Sequence, residues 1–133
     1  MMSALACGAA RKAATVQPLP EPPYEEVLGI HVESVRTSAH GMIVDLRYRV
    51  LEPAKAQNIV TRKTPMTLIH DATGQVLSVP APAFVGPMRQ TADRAVKGNV
   101  YFVLFENRNR TGKPGDTMTL KIGDVLVKGL KIE

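Results

Sequence analysis

Cysteine and aromatic residues are scarce in this chain. Cys7 is the only cysteine, which excludes a disulfide within the chain, and tryptophan is absent. Aromatic residues make up 5% of the sequence, so few side chains are available on which the bases of a single strand could stack. The basic residues are scattered rather than clustered. We therefore expect that nucleic acid is not a partner.

Long apolar runs and the motifs of common enzymes are also missing. No apolar stretch approaches the ~18 residues of a membrane-spanning helix, so we expect no transmembrane segment in this chain. The sequence has no GxSxG, HExxH or CxxC motif and no phosphate-binding loop. Most carboxylates fall in predicted turns, where Asp normally bonds to the local backbone. We expect a noncatalytic protein without a cofactor.

The remaining composition is typical of a globular protein. Of the 133 residues, 44% are hydrophobic and 22% are charged. This length predicts one domain that can bury a core of its own. The formal net charge of +5 suits an acidic partner. Binding of an acidic polymer through scattered Arg and Lys is therefore one alternative function.

The first ten residues, MMSALACGAA, resemble the end of a bacterial export signal. Ala4-Leu5-Ala6 has the small-x-small pattern of a cleavage site. Cys7 follows directly, as in a bacterial lipoprotein, although Leu5 stands two residues before the cysteine rather than three. We expect export to the periplasm or outer cell envelope, with Cys7 as the candidate lipidation site. The alternative is a cytoplasmic protein.

A proline-rich stretch separates this start from the rest of the chain. Residues 8–26 contain four prolines and show no apolar period. Such a composition is typical of an extended tether. We predict a flexible N-terminal segment over 1–27 and a folded domain over 28–133.

Within the folded domain, apolar and polar residues alternate with a period of two, which is typical of half-buried β-strands. Pro53 can begin a helix, so one short helix or turn is predicted near 53–60. Three prolines limit 80–98 to an edge strand or a loop. The predicted strands are 30–38, 42–51, 65–70, 75–79, 99–106, 117–122 and 125–133.

Two predicted hairpins carry enough information to set their register. A four-residue loop joins the third and fourth strands, which places Leu68 opposite Leu77 and Met66 opposite Val79. In the final hairpin, the last apolar residues keep a common face only if one residue is bulged. Gly129 is suited to that bulge.

Two stretches resemble small exported bacterial domains of the immunoglobulin-like kind. They are Tyr101–Asn107, with the sequence YFVLFEN, and Lys113–Asp124, with the sequence KPGDTMTLKIGD. In many such domains a Pro-Gly-Asp turn leads into a late strand. The resemblance implies an all-β, immunoglobulin-like antiparallel sandwich of about seven to eight strands. It implies no particular activity, because one fold serves many functions.

Histidine and methionine supply a candidate metal site. Exported domains often bind copper through imidazole and thioether groups. His70 ends a predicted strand at the rim of the sandwich, and Met66 lies on the same face of that strand. A periplasmic copper-handling domain with His70 and Met66 as ligands is therefore an alternative function. A core methionine and a rim histidine bonded to a loop are the competing interpretation.

Three arginines are predicted to share the outer face of the first hairpin. Arg47 and Arg49 alternate with the apolar residues of their strand, and Arg36 can lie opposite Asp45. Such a face usually serves solubility and edge protection. The functional alternative is an anion-binding patch formed by Arg36, Arg47 and Arg49.

The predicted strand 99–106 is apolar on both faces. A sandwich strand normally has one face in the core and one in water, so its second face needs a cover. We take Tyr101, Val103 and Phe105 as the candidate partner-binding set. Sequence alone does not decide which of the two alternating sets faces outward.

Three covers for that second face are available. They are the segment around Phe84 and Val85, the short helix near 53–60, and another protein or a second copy of the chain. The leading functional hypothesis is a noncatalytic binding or structural module of the bacterial cell envelope that acts through protein–protein contact.

Overall fold

The computed structural model describes residues 23–81 and 87–133, and strands are its dominant regular structure. Its α-helices are α1 (Tyr24–Leu28) and α2 (Pro53–Val60). The predicted all-β sandwich and the helix near 53–60 are confirmed. The seven strands are β1 (Ile30–Ser38), β2 (Ile43–Val50), β3 (Met66–His70), β4 (Val76–Leu77), β5 (Val100–Glu106), β6 (Thr117–Ile122) and β7 (Val125–Lys131).

The strands form two antiparallel sheets that enclose one core. The three-stranded sheet has the order β1-β2-β5, and the four-stranded sheet has the order β4-β3-β6-β7. Helix α2 carries the chain from the first sheet to the second, and its residues Ala56, Ile59 and Val60 are buried in the shared core. No helix in the two described ranges is long and apolar enough to cross a membrane.

The alternation predicted for β2 is confirmed from Val44 to Val50, where every second side chain is fully buried. Met42 was expected to continue the same row. It lies before the strand and is 47% exposed. The reason is the preceding turn, in which the backbone N–H of Met42 donates a hydrogen bond to the carbonyl oxygen of Ala39.

The β3–β4 hairpin is confirmed only near its loop. Leu68 pairs with Leu77 as predicted. Met66 and Val79 do not pair, because β4 ends at Leu77. The chain then crosses to the other sheet, where the carbonyl oxygen of Ser78 accepts a hydrogen bond from β5.

The predicted bulge in the last strand is present. Met118 pairs with Leu130 while Leu120 pairs with Val127, so one extra residue of β7 is accommodated between them. Gly129 takes a φ of +78° there. A residue with a side chain rarely adopts this conformation, which explains why glycine occupies the position.

The folded part begins earlier than predicted. Helix α1 lies in the range assigned to the flexible segment, and its residue Leu28 is buried. The hydroxyl oxygen of Tyr24 accepts a hydrogen bond from the backbone N–H of Val32 at 3.0 Å. Helix α1 therefore covers part of the open edge of β1. The contact joins residues eight positions apart, and the proline content on which the prediction was based gives no indication of it.

Residues 87–90 form an edge segment, as the proline content predicted. The backbone N–H of Leu104 donates to the carbonyl oxygen of Met88, and that of Gln90 donates to Phe102, both at 3.0 Å. This segment extends the three-stranded sheet beyond β5. Phe84 and Val85, which belong to one of the three possible covers for the second face of β5, lie outside the described residues.

Candidate functional site

The outer face of the three-stranded sheet brings the predicted arginines and the second face of β5 together. Cross-strand rows place Ser34, Arg47 and Phe102 side by side. The guanidinium carbon of Arg47 lies 6.0 Å from the centroid of the Phe102 ring, within the range of a cation–π contact. We call this surface the Arg–Phe face, and it comprises Arg36, Asp45, Arg47, Arg49, Val100, Phe102 and Leu104.

The side chains of β5 that face outward are Val100, Phe102 and Leu104. Tyr101, Val103 and Phe105 are buried between the two sheets, so the prediction that they form a partner-binding surface is wrong. Phe102 and Leu104 are half-buried on the outside. Both sets are apolar, so the direction of the strand's faces depends on its pairing with β2 and not on its own sequence.

Each arginine of the predicted anion patch is held by an acid of its own chain. Arg36 contacts Glu133, Arg47 contacts Asp45 and Arg49 contacts Glu33, each at 3.2 Å. The hydrogen bond from Arg49 also lowers the pKa of Glu33. The Arg–Phe face is therefore close to neutral, which weakens the case for an anion-binding patch.

His70 is 4% exposed, and both of its ring nitrogens are engaged. Nδ1 lies 2.8 Å from the hydroxyl oxygen of Thr73, and Nε2 lies 2.8 Å from a carboxylate oxygen of Asp116. The hydrogen bond with His70 is the main reason that the pKa of Asp116 is lowered, and a hydrogen bond from the backbone of Lys113 adds to it. The imidazole joins the turn after β3 to the turn before β6.

These contacts do not assemble the proposed copper site. Met66 and His70 are four residues apart on β3, which separates their Cα atoms by roughly 13 Å in an extended strand. Leu68 lies between them on the same buried face. In addition, no group of three His, Cys, Asp or Glu side chains in ranges 23–81 and 87–133 is arranged to hold a metal ion.

Arg89 is the functional candidate that the sequence interpretation missed. It is 8% exposed, and it donates hydrogen bonds to the carbonyl oxygens of Thr64, at 2.9 Å, and Ile59. Its Nε atom and the hydroxyl of Tyr48 are buried, and neither has a hydrogen-bond partner among the residues that the structure describes. Arg89 pairs with Val103 of β5 in an antiparallel bridge. Paired residues point to the same side of a sheet, and Val103 faces the core, so the Arg89 side chain faces the core as well. The sequence places Arg89 in an edge strand or loop, and no periodic pattern there marks it as core-facing.

A pocket of about 310 Å³ opens beside Arg89. Its walls are mostly apolar, and Arg62 is its second charged residue. The lining residues are Arg62, Pro65, Met66, Ser78, Val79, Pro87 and Arg89.

Comparisons with protein-family models, curated proteins and solved structures found no match for this chain.

The candidate lipidation site, Cys7, lies outside the described residues.

Proposed function

We propose that this protein is a noncatalytic binding module that contacts a partner protein through the Arg–Phe face. The observation that carries the proposal is an exposed sheet surface on which Phe102 and Leu104 lie among arginines that are already ion-paired. Aromatic residues and arginine are enriched in protein interfaces, and lysine is depleted.

The distribution of cations between the two sheets supports this choice of face. The strands β1, β2 and β5 contain three arginines and no lysine. The strands of the four-stranded sheet contain three lysines, Lys121, Lys128 and Lys131, and no arginine. The Arg–Phe face therefore has the composition of a docking surface, and the opposite face has that of a solvated one.

The chemistry of the face also indicates the kind of partner. Its charges are balanced within the chain, so a polyanion would have to displace Asp45 or Glu33 from their arginines. An apolar protein surface with a mixed polar rim needs no such exchange. Three strands of about seven residues project roughly 330 Å², well below the ~800 Å² that each partner of a stable complex buries. We therefore propose a transient contact with a different protein rather than a permanent dimer.

We also propose that the sandwich is immunoglobulin-like. With the strands lettered in chain order as A, B, C, C′, E, F and G, one sheet is A-B-E and the other is C′-C-F-G. This order supports the assignment, because immunoglobulin-like sandwiches keep A, B and E in one sheet and C, F and G in the other.

Export to the bacterial cell envelope and lipid attachment at Cys7 remain part of the proposal. They are supported by the sequence of the first ten residues alone. A tether at the N-terminus would leave the Arg–Phe face free to meet a partner.

Site-directed photocrosslinking tests the docking surface. We would replace Phe102 with p-benzoylphenylalanine in the full chain, express it in the cells that produce the protein and irradiate them. The control places the same amino acid at Leu126, which is 47% exposed on the four-stranded sheet. We expect a discrete adduct with another protein from position 102 and none from position 126. Adding Leu104→Asp should remove that adduct.

Two variants separate docking from folding. Phe102→Asp should leave the domain folded by circular dichroism, whereas Val103→Asp should unfold it because Val103 is fully buried. Adducts of equal yield from positions 102 and 126, or an adduct that survives Leu104→Asp, would contradict the proposal. An adduct with the mass of two copies would show that the partner is a second copy of this chain and not a different protein.

A further inference from the structure

The pocket beside Arg89 has the composition of a binding site for a small amphiphilic anion. Met66, Val79 and two prolines contribute its apolar lining, and Arg62 and Arg89 are its charged residues. Ligand sites commonly combine such apolar walls with a few polar groups that fix orientation. This pocket is separate from the Arg–Phe face, so the inference does not depend on the proposed function.

Arg89 is a buried cation that has no acidic partner within the described part of the chain. None of the ion pairs among residues 23–81 and 87–133 includes Arg89. Outside the described residues, 82–86 contain no carboxylate, and 1–22 contain one, Glu21. Two of the five N–H donors of the guanidinium bond to main-chain carbonyls. Buried charges are normally paired, so an anion bound in the pocket would supply the missing partner for the positive charge of Arg89.

The pKa of Arg89 supports this view. Burial lowers it from its ordinary value, the nearby hydroxyl of Tyr48 partly offsets that effect, and the positive charge of Arg62 lowers it further. Both the burial and the second cation disfavour the charged form of Arg89. A carboxylate bound beside Arg62 and Arg89 would offset both effects by favouring the charged form of Arg89.

Arg62 occupies a backbone position that normally belongs to glycine. It follows the end of α2 with a φ of +69°. The N–H groups of Arg62 and Lys63 donate to the carbonyl oxygens of Ile59 and Asn58, which is the Schellman pattern of helix termination. A side chain in this conformation is strained. The guanidinium of Arg62 also forms no ion pair with any described residue.

We propose that this pocket binds the carboxylate group of a small aliphatic acid, with Arg62 and Arg89 facing the carboxylate and Met66 and Val79 facing the chain. Octanoate combines one carboxylate with an aliphatic chain, so it is the probe for this chemistry.

Calorimetric titration of the full chain with octanoate tests the proposal. We expect one binding site per chain and a shift of the side-chain Nε–H resonance of Arg89. Arg62→Gln should weaken binding by about tenfold or more, because it removes a charge-assisted hydrogen bond. The matched control is Lys63→Gln, which removes a neighbouring exposed charge outside the pocket lining and should change the affinity by less than about twofold.

Two further probes define the chemistry. Octanol, which has the chain without the charge, and acetate, which has the charge without the chain, should each bind far more weakly than octanoate. The proposal is overturned if octanoate does not bind, if Arg62→Gln and Lys63→Gln behave alike, or if either probe binds as tightly as octanoate. Shifts centred on Phe102 instead of Arg89 would also overturn it.

Discussion

The side-chain amide of Asn107 makes two hydrogen bonds to the backbone of Gly112. Its nitrogen donates to the Gly112 carbonyl oxygen at 2.8 Å, and its oxygen accepts from the Gly112 N–H at 2.9 Å. The same nitrogen donates to the carbonyl oxygen of Gly41 at 2.9 Å. Asn107 is fully buried, so one satisfied amide joins the β1–β2 turn to the loop before β6.

Asn107→Asp should destabilise the domain by about 3 kcal/mol. The change keeps the shape of the side chain but removes both donated hydrogen bonds, leaving two carbonyl oxygens without that partner and burying a carboxylate. Urea unfolding measures the loss. Asn109→Asp is the control, because Asn109 is exposed in the same loop and its change should stay within ~0.5 kcal/mol. Equal effects at the two positions would show that the amide network is not important.

Arg62→Gly should stabilise the domain by roughly 0.5–1 kcal/mol. Glycine adopts the positive φ of this position without strain, which outweighs the entropy that it adds to the unfolded chain. The same substitution at Lys63, which does not have a positive φ, should lower stability by a similar amount. Thermal unfolding of both variants tests the difference. A loss of stability in Arg62→Gly would mean that the arginine side chain itself holds the turn.

Two tyrosines should respond oppositely to the loss of a hydroxyl group. Tyr48→Phe removes a buried hydroxyl that has no partner in ranges 23–81 and 87–133, and it should raise stability by about 1 kcal/mol. Tyr24→Phe removes the acceptor for Val32 and should lower stability by about 1 kcal/mol. Urea unfolding of the two variants compares them. A destabilised Tyr48→Phe would mean that the hydroxyl has a partner.

Alkaline titration gives an independent check on Tyr48. Burial raises its pKa to about 12. Because the pKa of Tyr48 is raised in the folded state, the unfolded chain loses this proton first. The stabilisation linked to this proton is complete below the ordinary value of 10.0 and is lost as the pH rises towards 12. The ultraviolet absorbance of phenolate should therefore show a late step that Tyr48→Phe lacks.

Acid should destabilise the domain through Asp116. The hydrogen bond with His70 lowers the pKa of Asp116 below its ordinary value of 3.8. The stabilisation is therefore complete above that value and is lost as the pH falls below it towards the lower pKa of the folded state. Urea midpoints between pH 6 and pH 2 should fall less steeply for Asp116→Asn than for the natural chain. Asp124→Asn, in an exposed turn, should keep the steep fall.

The order of the strands along the chain was predictable because it depends on local chemistry. Alternating side chains locate β2, a short loop sets Leu68 opposite Leu77, and the parity of the last apolar residues requires a bulge at Gly129. Each of these signals acts between residues that are near neighbours in sequence or are joined by one short loop.

The candidate sites were less predictable because they depend on contacts between distant segments. The acids that neutralise Arg36 and Arg49 lie 97 and 16 residues away along the chain. The pocket arises where Arg89, on an edge segment, meets the end of α2 about 30 residues earlier. Neither partnership leaves a periodic pattern.

The order of apolar and polar residues is enough to specify strands around one core, because it alone sets which side chains alternate into the interior. The buried face of β5 is instead selected by its pairing with β2, since both of its faces are apolar. The three predicted arginines are neutralised in the folded chain, whereas Arg89, absent from that prediction, is buried with no acidic partner among the described residues. Charge compensation depends on distances in space, and the sequence does not record those distances.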